Sequence, residues 1–289
     1  MKTNTGCIPC FLRQAYEALE RTDKDDLSKR KILKEVSLEL FKIPFDKSPP
    51  QIARRIYSII NDLADIKDPF KEEKRHSNEL ALRLYPKLKK RVDEAGDELL
   101  EAVRLAAIGN VIDLGAKSTF DIEEELKEDK NQEFAIFDYD KFKKKLEEAD
   151  EILYLGDNAG EIVFDKILIE ELKKPVIFAV RDKPTINDAT IEDAVTCGLD
   201  KICRVISSGS DAPGTVLDLC NQEFLEIYNR APLIISKGQG NFEELSDEDK
   251  PIFFLFKAKC QTVADELNCK VGDMILTTPM PRTTLKSKL

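Results

Sequence analysis

The sequence predicts an α/β protein, a Rossmann-like three-layer fold with a mostly parallel sheet, preceded by an all-helical domain or cap. Three observations carry this. Apolar residues recur at helical spacing from Cys7 to Leu114. After the polar, acidic segment 117–131, short apolar runs alternate with amphipathic stretches. Polar, glycine-rich motifs directly follow those runs. The expected division is a helical cap over residues 1–115 and an α/β domain over residues 116–289.

In the first part, Ile8, Leu12, Ala15 and Leu19 form one helical stripe, and Ile32, Val36 and Leu40 a second. Ile52, Ile56, Ile59 and Leu63 form a third, begun at Ser48-Pro49-Pro50, where a serine cap and prolines suit a helix start. Asp68-Pro69 opens a fourth helix running through Leu80, Leu84 and Leu88, and Val92 to Ile108 reads as a fifth. The segment 117–131 reads as a surface excursion.

In the second part the strands are expected at Glu151–Leu155, Val176–Val180, Ile202–Ser207, Leu233–Ser236, Ile252–Phe256 and Met274–Thr277. Amphipathic stretches such as Ile162–Leu172 separate them. Strand and helix in alternation imply right-handed crossovers, with helices on both faces of the sheet.

Bulk composition narrows the function. A formal charge of −10 argues against general affinity for nucleic acid. No run of about 18 apolar residues is present to span a membrane, and the N-terminal segment turns charged too soon for a signal peptide. Seven cysteines, odd in number and scattered over 289 residues, do not resemble a secreted disulfide framework. The expected location is the reducing cytoplasm.

Ligands of open parallel sheets bind beyond the carboxyl ends of the strands. Five successive strands here deliver polar groups to that edge: GDNAGE from Gly156, Arg181 and the loop DKPTINDAT, SSGSD from Ser207, KGQGN from Lys237, and Lys257 with Lys259-Cys260. Asp157, Asn158 and Asp188 are oxygen donors of the kind a hard divalent cation takes. Such a cation can activate a water. Lys237, flanked by glycine, offers an ammonium for phosphate, and Gly238 and Gly240 let backbone N–H groups approach an anion. Helices opening after Gly160 and Pro213 would add positive N-termini. Each motif also has a plainer reading: a strand-to-helix turn at GDNAGE, helix caps at Asn187-Asp188 and Ser210-Asp211, a glycine turn at KGQGN. Their convergence on one edge favours a site for a small phosphorylated metabolite.

GDNAGE, INDAT, SGSDAPGT and KGQGNFE, in this order, resemble the damage-control phosphatase family, also known as domain of unknown function eighty-nine. Cys7-Ile8-Pro9-Cys10 and FKAKCQTVADEL look like its short prokaryotic and archaeal branch. The resemblance runs from Cys7 to about Met274. It implies metal-dependent hydrolysis of phosphate monoesters with Mn²⁺, Co²⁺, Ni²⁺ or Mg²⁺. It assigns the metal to Asp157, Asn158 and Asp188, phosphate to Lys237, and substrate contacts to Asn110, Glu161 and Asn241, beside Ser210, Asp211 and Gly238 in the same motifs. The Arg-Thr-x-Lys signature of the eukaryotic branch is not present in that form. Two mechanisms stand open: in-line attack by water with Asp188 or Asp157 orienting it, which is preferred, and an aspartyl-phosphate on Asp157. A non-catalytic module binding a phosphometabolite or nucleotide is the alternative function. A dehydrogenase is disfavoured, because the first strand lacks G-x-G-x-x-G. Cys7 and Cys10 read either as a redox or metal pair or as buried thiols, with Cys260 a partner to test. His76 reads as a surface residue; Asp68 and Lys74, on the same expected helix, read either as a solvated face, which is preferred, or as residues reaching over the pocket from the cap.

Overall fold

The structure, a computed structural model, describes residues 1–44, 46–109 and 132–279. Asn110 and the segment 117–131 lie outside the described residues.

Helices α1 (Cys7–Glu20), α2 (Asp26–Leu40) and α3 (Pro49–Ala64) form a small bundle with its own core, including Leu19, Val36, Ile56 and Ile60. Local chemistry sets their ends. Asp25 accepts the Ser28 N–H at 2.8 Å, and Ser48 caps α3, whose first two positions are the prolines. Helices α4 (Lys71–Asp93) and α5 (Glu98–Gly109) follow, separated by a break where a single helix over Val92–Ile108 was expected. Their apolar faces enter the main core together with the sheet. Only α1–α3 therefore stand apart as a cap.

The rest alternates: β1 (Phe134–Phe137), α6 (Tyr139–Glu148), β2 (Ile152–Leu155), α7 (Glu161–Leu172), β3 (Val176–Val180), α8 (Ile191–Thr196), β4 (Arg204–Ser207), α9 (Gln222–Arg230), β5 (Ile234–Lys237), α10 (Gln239–Leu245), β6 (Ile252–Lys257), α11 (Gln261–Leu267) and β7 (Met274–Thr277). The seven-stranded sheet has the order β1-β7-β6-β5-β2-β3-β4, and only the β6–β7 pairing is antiparallel. All six expected strands are present, and β1 is an addition on the edge. On one face, α4, α5 and α7 share a core with Tyr154, Phe178, Ile235 and Leu255. On the other, α9, α10 and α11 share a core with Leu155, Ala179, Ile234 and Phe254. Every residue of β2, β3, β5 and β6 is buried, as strands covered on both faces must be. Among the described residues no helix is long and apolar enough to cross a membrane.

The chain leaves β2 in one direction through β3 to β4, then returns to place β5 on the other side of β2. This reversal opens a crevice at the carboxyl ends of β2 and β5, the usual ligand position of doubly wound sheets.

Candidate active site

Gly156 ends β2 against the Phe178 ring; a Cβ there would lie 2.7 Å from the ring edge. The next residues, Asp157 and Asn158, turn across the crevice and meet the loop after β3. Ala159 N–H donates to the Asn187 carbonyl and Ala189 N–H to the Asp157 carbonyl, both at 2.8 Å. These bonds make an isolated antiparallel bridge between Asn158 and Asp188. Two carboxylates and an amide from two strand ends thus stand side by side. Between Thr185 and Asn187, Ile186 is held at φ 47°, a left-handed conformation that a β-branched residue rarely adopts. Its side chain packs against the core of α1–α3, which holds the backbone in place.

Charge around the pair is arranged in layers. Arg181, 1% exposed, donates from Nε to Asp188 Oδ2 at 2.7 Å, and its Nη2 lies 3.7 Å from Asp157 Oδ1. Its Nη1 donates to the Thr215 hydroxyl and its Nη2 to the Asn241 amide oxygen, both at 3.2 Å. Burial raises both carboxyls, Asp188 to about 7; Arg181 opposes the rise at Asp188, while the Asp157 charge adds to it. The Asn158 amide nitrogen donates to Asp157 Oδ2 and Glu161 Oε2, each at 2.8 Å. With the nitrogen so engaged, the amide oxygen is the end left to face a ligand.

The cap closes the crevice into a cavity of about 340 Å³. Cys7, Cys10 and Arg13 of α1 and Pro50 of α3 line one wall, facing Asp157, Asn158, Asp188, Gln239, Glu243, Lys259 and Cys260. Lys259 and Arg13 are the cationic residues on this lining. The Lys259 charge lowers the pKa of both Asp157 and Asp188, opposing their burial. Glu243 is buried and raised to about 7, chiefly by that burial, although Gln239 donates to it at 2.8 Å. Among the described residues no three His, Cys, Asp or Glu side chains converge as a metal group. A cation here would rest on Asp157, Asp188 and the Asn158 amide oxygen, with water and substrate oxygens completing its shell. The donor set fits a hard divalent ion: two buried carboxylates crowd one wall, and the amide nitrogen is already taken.

Residues 3–275 match the damage-control phosphatase ARMT1-like domain. The chain belongs to that family. It is 38% identical over 283 residues to a damage-control phosphatase of Pyrococcus horikoshii, covering 95% of this chain and 97% of the relative. It is 35% identical over 287 residues to a damage-control phosphatase of Archaeoglobus fulgidus, covering 95% and 98%. An uncharacterised protein of Methanocaldococcus jannaschii is 35% identical over 290 residues, covering 96% and 95%. The fold matches the crystal structure of a DUF89 family protein from Pyrococcus horikoshii with a TM-score of 0.91 at 36% identity, over 97% of this chain and 100% of that one.

Several expected contacts fall elsewhere. Lys237 does not reach the cavity. Its ammonium is fully buried on the α7 side and donates to Glu161 Oε1 and Asp165 Oδ1 at 2.7 Å and to the Ala106 carbonyl at 2.9 Å. All three N–H donors are engaged in this arrangement, and Lys237 is absent from the cavity lining. Burial would depress its pKa, but Asp165 and Glu161 outweigh it and hold the ammonium above the ordinary lysine range. Glu161 stands behind Asn158, between that amide and Lys237, not on the cavity wall. Asn241 is fully buried, receiving Thr215 N–H at 2.8 Å and donating to the Lys237 carbonyl at 2.8 Å. Gly238 sends its N–H toward the Leu255 carbonyl; its place in the site is to leave room for the Asp157 carboxylate. Ser210 is buried and donates to the Gly214 carbonyl at 3.0 Å. Asp211 pairs with Arg54 in a separate cavity of about 650 Å³, beyond the loop 183–187 and without any of the expected metal donors. The helix expected from Pro213 does not form; a single 3₁₀ turn, Leu217–Leu219, stands there instead. Asn110 lies outside the described residues. Lys74 is 5% exposed and ion-paired to Asp68 and Asp193, not solvated.

The sequence named Arg181 and Lys259 as strand-end residues without giving them a role, and Glu243 not at all. Lys259 had a usable signal: it follows β6 by two residues, beside an acidic site that needs an anion-binding cation. Arg181 had one as well, as a guanidinium directly after an all-apolar strand.

Proposed function

We propose that this chain is a metal-dependent phosphatase that hydrolyses phosphate monoesters of small metabolites, sugar phosphates or damaged phosphometabolites, in the cytoplasm. Its membership of the damage-control phosphatase family supports the reaction class. The single observation that carries the metal site is the Asn158–Asp188 bridge, which sets Asp157, Asn158 and Asp188 side by side in the cavity under Lys259. Seven free thiols fit a reducing compartment.

Asp157, Asn158 and Asp188 hold the cation, favoured as Mn²⁺, Co²⁺, Ni²⁺ or Mg²⁺. When bound, it supplies Lewis acidity and lowers the pKa of a water, the usual role of such ions in phosphate hydrolysis. Lys259, on the wall of the carboxylates, and Arg13, on the cap wall, neutralise the phosphate and hold it in place. Asp188 or Asp157 orients the attacking water for in-line attack on phosphorus. Arg181 keeps its position throughout, because its donors are fixed by Asp188, Thr215 and Asn241. Helices α1 and α3 supply the wall of the cavity that faces the carboxylates.

The test is phosphate release from p-nitrophenyl phosphate and a panel of sugar phosphates, with each divalent ion added in turn. Turnover that requires added metal and disappears in a folded Asp157→Ala variant supports the reading. Tight binding of a phosphometabolite with no turnover under any metal supports the non-catalytic module instead.

A further inference from the structure

We propose that Asn78 and Asp193 form a positioning pair that holds the two donor loops in register from behind the site. The inference rests on the reading of Asp157, Asn158 and Asp188 as cation ligands. Asn78 lies on α4, which belongs to the core of the sheet and contributes nothing to the cavity lining. Its amide oxygen accepts the Gly160 N–H at 2.7 Å, two residues after Asn158. Its amide nitrogen donates to Asp193 Oδ1 at 2.9 Å. Asp193 Oδ2 in turn accepts the Thr190 N–H at 2.9 Å and the Thr190 hydroxyl at 2.8 Å, two residues after Asp188. Lys74 supplies the countercharge to Asp193 at 3.3 Å and is itself balanced by Asp68 at 3.1 Å. Lys74, Asn78 and Asp193 are 5%, 3% and 7% exposed.

These bonds close a ring. On its front side the main-chain bridge joins Asn158 to Asp188. On its back side the Asn78–Asp193 pair joins Gly160 to the Thr190 cap of α8. The front side ties the loops together at the donor residues themselves. The back side ties them two residues further on, so that the loops are held on both sides of the donors. Each side chain has its orientation fixed: the amide of Asn78 has a donor at its oxygen and an acceptor at its nitrogen, and so cannot flip without losing both bonds. Neither residue touches the cavity, so each acts through the ligands it orients. Partners bonded directly to metal ligands change metal affinity by about 10–100-fold, and this pair, one step further out, is expected at the low end of that range.

The experiment uses the full chain and manganese alone as ligand. Mn²⁺ affinity is measured by calorimetry for the natural protein, Asn78→Ala, Asp193→Asn, the double variant and Tyr85→Phe. Hydrogen exchange of the peptides covering 156–160 and 187–190 is followed on the same proteins without metal. Tyr85→Phe is the control, because Tyr85 ties the same helix to Glu170 of α7 at 2.7 Å, away from both loops. Asn78→Ala should weaken Mn²⁺ about 10-fold and speed exchange of both loop peptides. The double variant should be no weaker than the poorer single one, since both break one ring. Tyr85→Phe should lower the melting temperature and leave affinity and loop exchange unchanged. If Asn78→Ala does not fold, Asp193→Asn decides the question by the same two readouts. Folded variants with natural affinity and natural loop exchange overturn the pair. A natural protein that binds no Mn²⁺ overturns the metal site instead, while loop exchange still tells whether the pair fixes the loops.

Discussion

Gly238→Ala tests the centre of the site through a single methyl group. Gly238 sits at φ 80°, ψ 156°, a region that only glycine occupies without strain. A side chain there costs roughly 1–3 kcal/mol from the backbone alone. The larger consequence is local: an added Cβ would lie 2.0 Å from Asp157 Oδ2, 2.2 Å from its Cγ and 2.7 Å from its Oδ1. Ordinary contact begins at 3.4 Å, so the carboxylate must retreat by about 1.4 Å, the difference between 3.4 and 2.0. That distance is enough to break its 2.8 Å bond from Asn158 and to displace it from its place beside Asp188. A displacement of about 1 Å at a reacting centre lowers turnover on the order of 100-fold. Turnover of p-nitrophenyl phosphate with Mn²⁺, Mn²⁺ affinity and the melting temperature are to be measured together. Gly272→Ala separates the two effects, because Gly272 has φ 94° with nothing within 4 Å of the added atom. It should lose a few degrees of melting temperature and no activity. A folded Gly238→Ala with natural metal affinity and natural turnover would refute the role given to Asp157.

Arg181→Met should destabilise the metal-free protein by about 3–5 kcal/mol, by leaving buried carboxylates without their nearest cation. Added Mn²⁺ should then raise its melting temperature more than that of the natural protein, and equal shifts would count against a shared charge site. Lys237→Met should lower stability by a similar amount, about 3–5 kcal/mol, without raising KM; a raised KM with unchanged stability would restore it as a phosphate ligand. The pH dependence follows from Asp188, whose carboxyl moves from 3.8 to about 7 in the folded state. The fold then binds the proton more tightly than the unfolded chain does, so this contribution to stability is full below about pH 4 and lost as pH rises to about 7. Mn²⁺ takes the ionised form, so its stabilising shift should be small near pH 5.5 and large near pH 8; equal shifts at both would contradict the assignment. Cys7, Cys10 and Cys260 line the cavity, so N-ethylmaleimide should inactivate the protein and phosphate with Mn²⁺ should protect it, while buried Cys197 stays unmodified, as peptide mapping would show.

The sheet was legible because its central strands are short, largely apolar and bounded by turn residues, a pattern that burial on both faces enforces. Only β1 escaped, four residues on an edge with alternating exposure and too little length to stand out. The grouping of Asp157, Asn158 and Asp188 was legible for a related reason: each lies within a loop that immediately follows a central strand. Lys237 misled because proximity to the sheet edge says nothing about face. Its neighbour two residues back, Ile235, belongs to the α7-side core, and alternation along the strand sends the lysine the same way. The expected Val92–Ile108 helix divides although its apolar spacing continues across Gly96-Asp97, where glycine interrupts the helix and the Asp97 carboxylate accepts the Leu100 N–H at 3.0 Å to cap a new one. Asn78 was invisible as a partner of the site, since its acceptor Asp193 lies more than a hundred residues away in the chain.

Ile186 joins what composition divides. Its backbone belongs to the loop that carries Asp188, yet its side chain is a member of the α1–α3 core. Grafting a foreign lid onto this sheet would therefore not be a neutral exchange of roofs. Without a matching socket for that one isoleucine, the loop would relax toward an ordinary conformation, and the new lid would arrive over a site that had lost its shape.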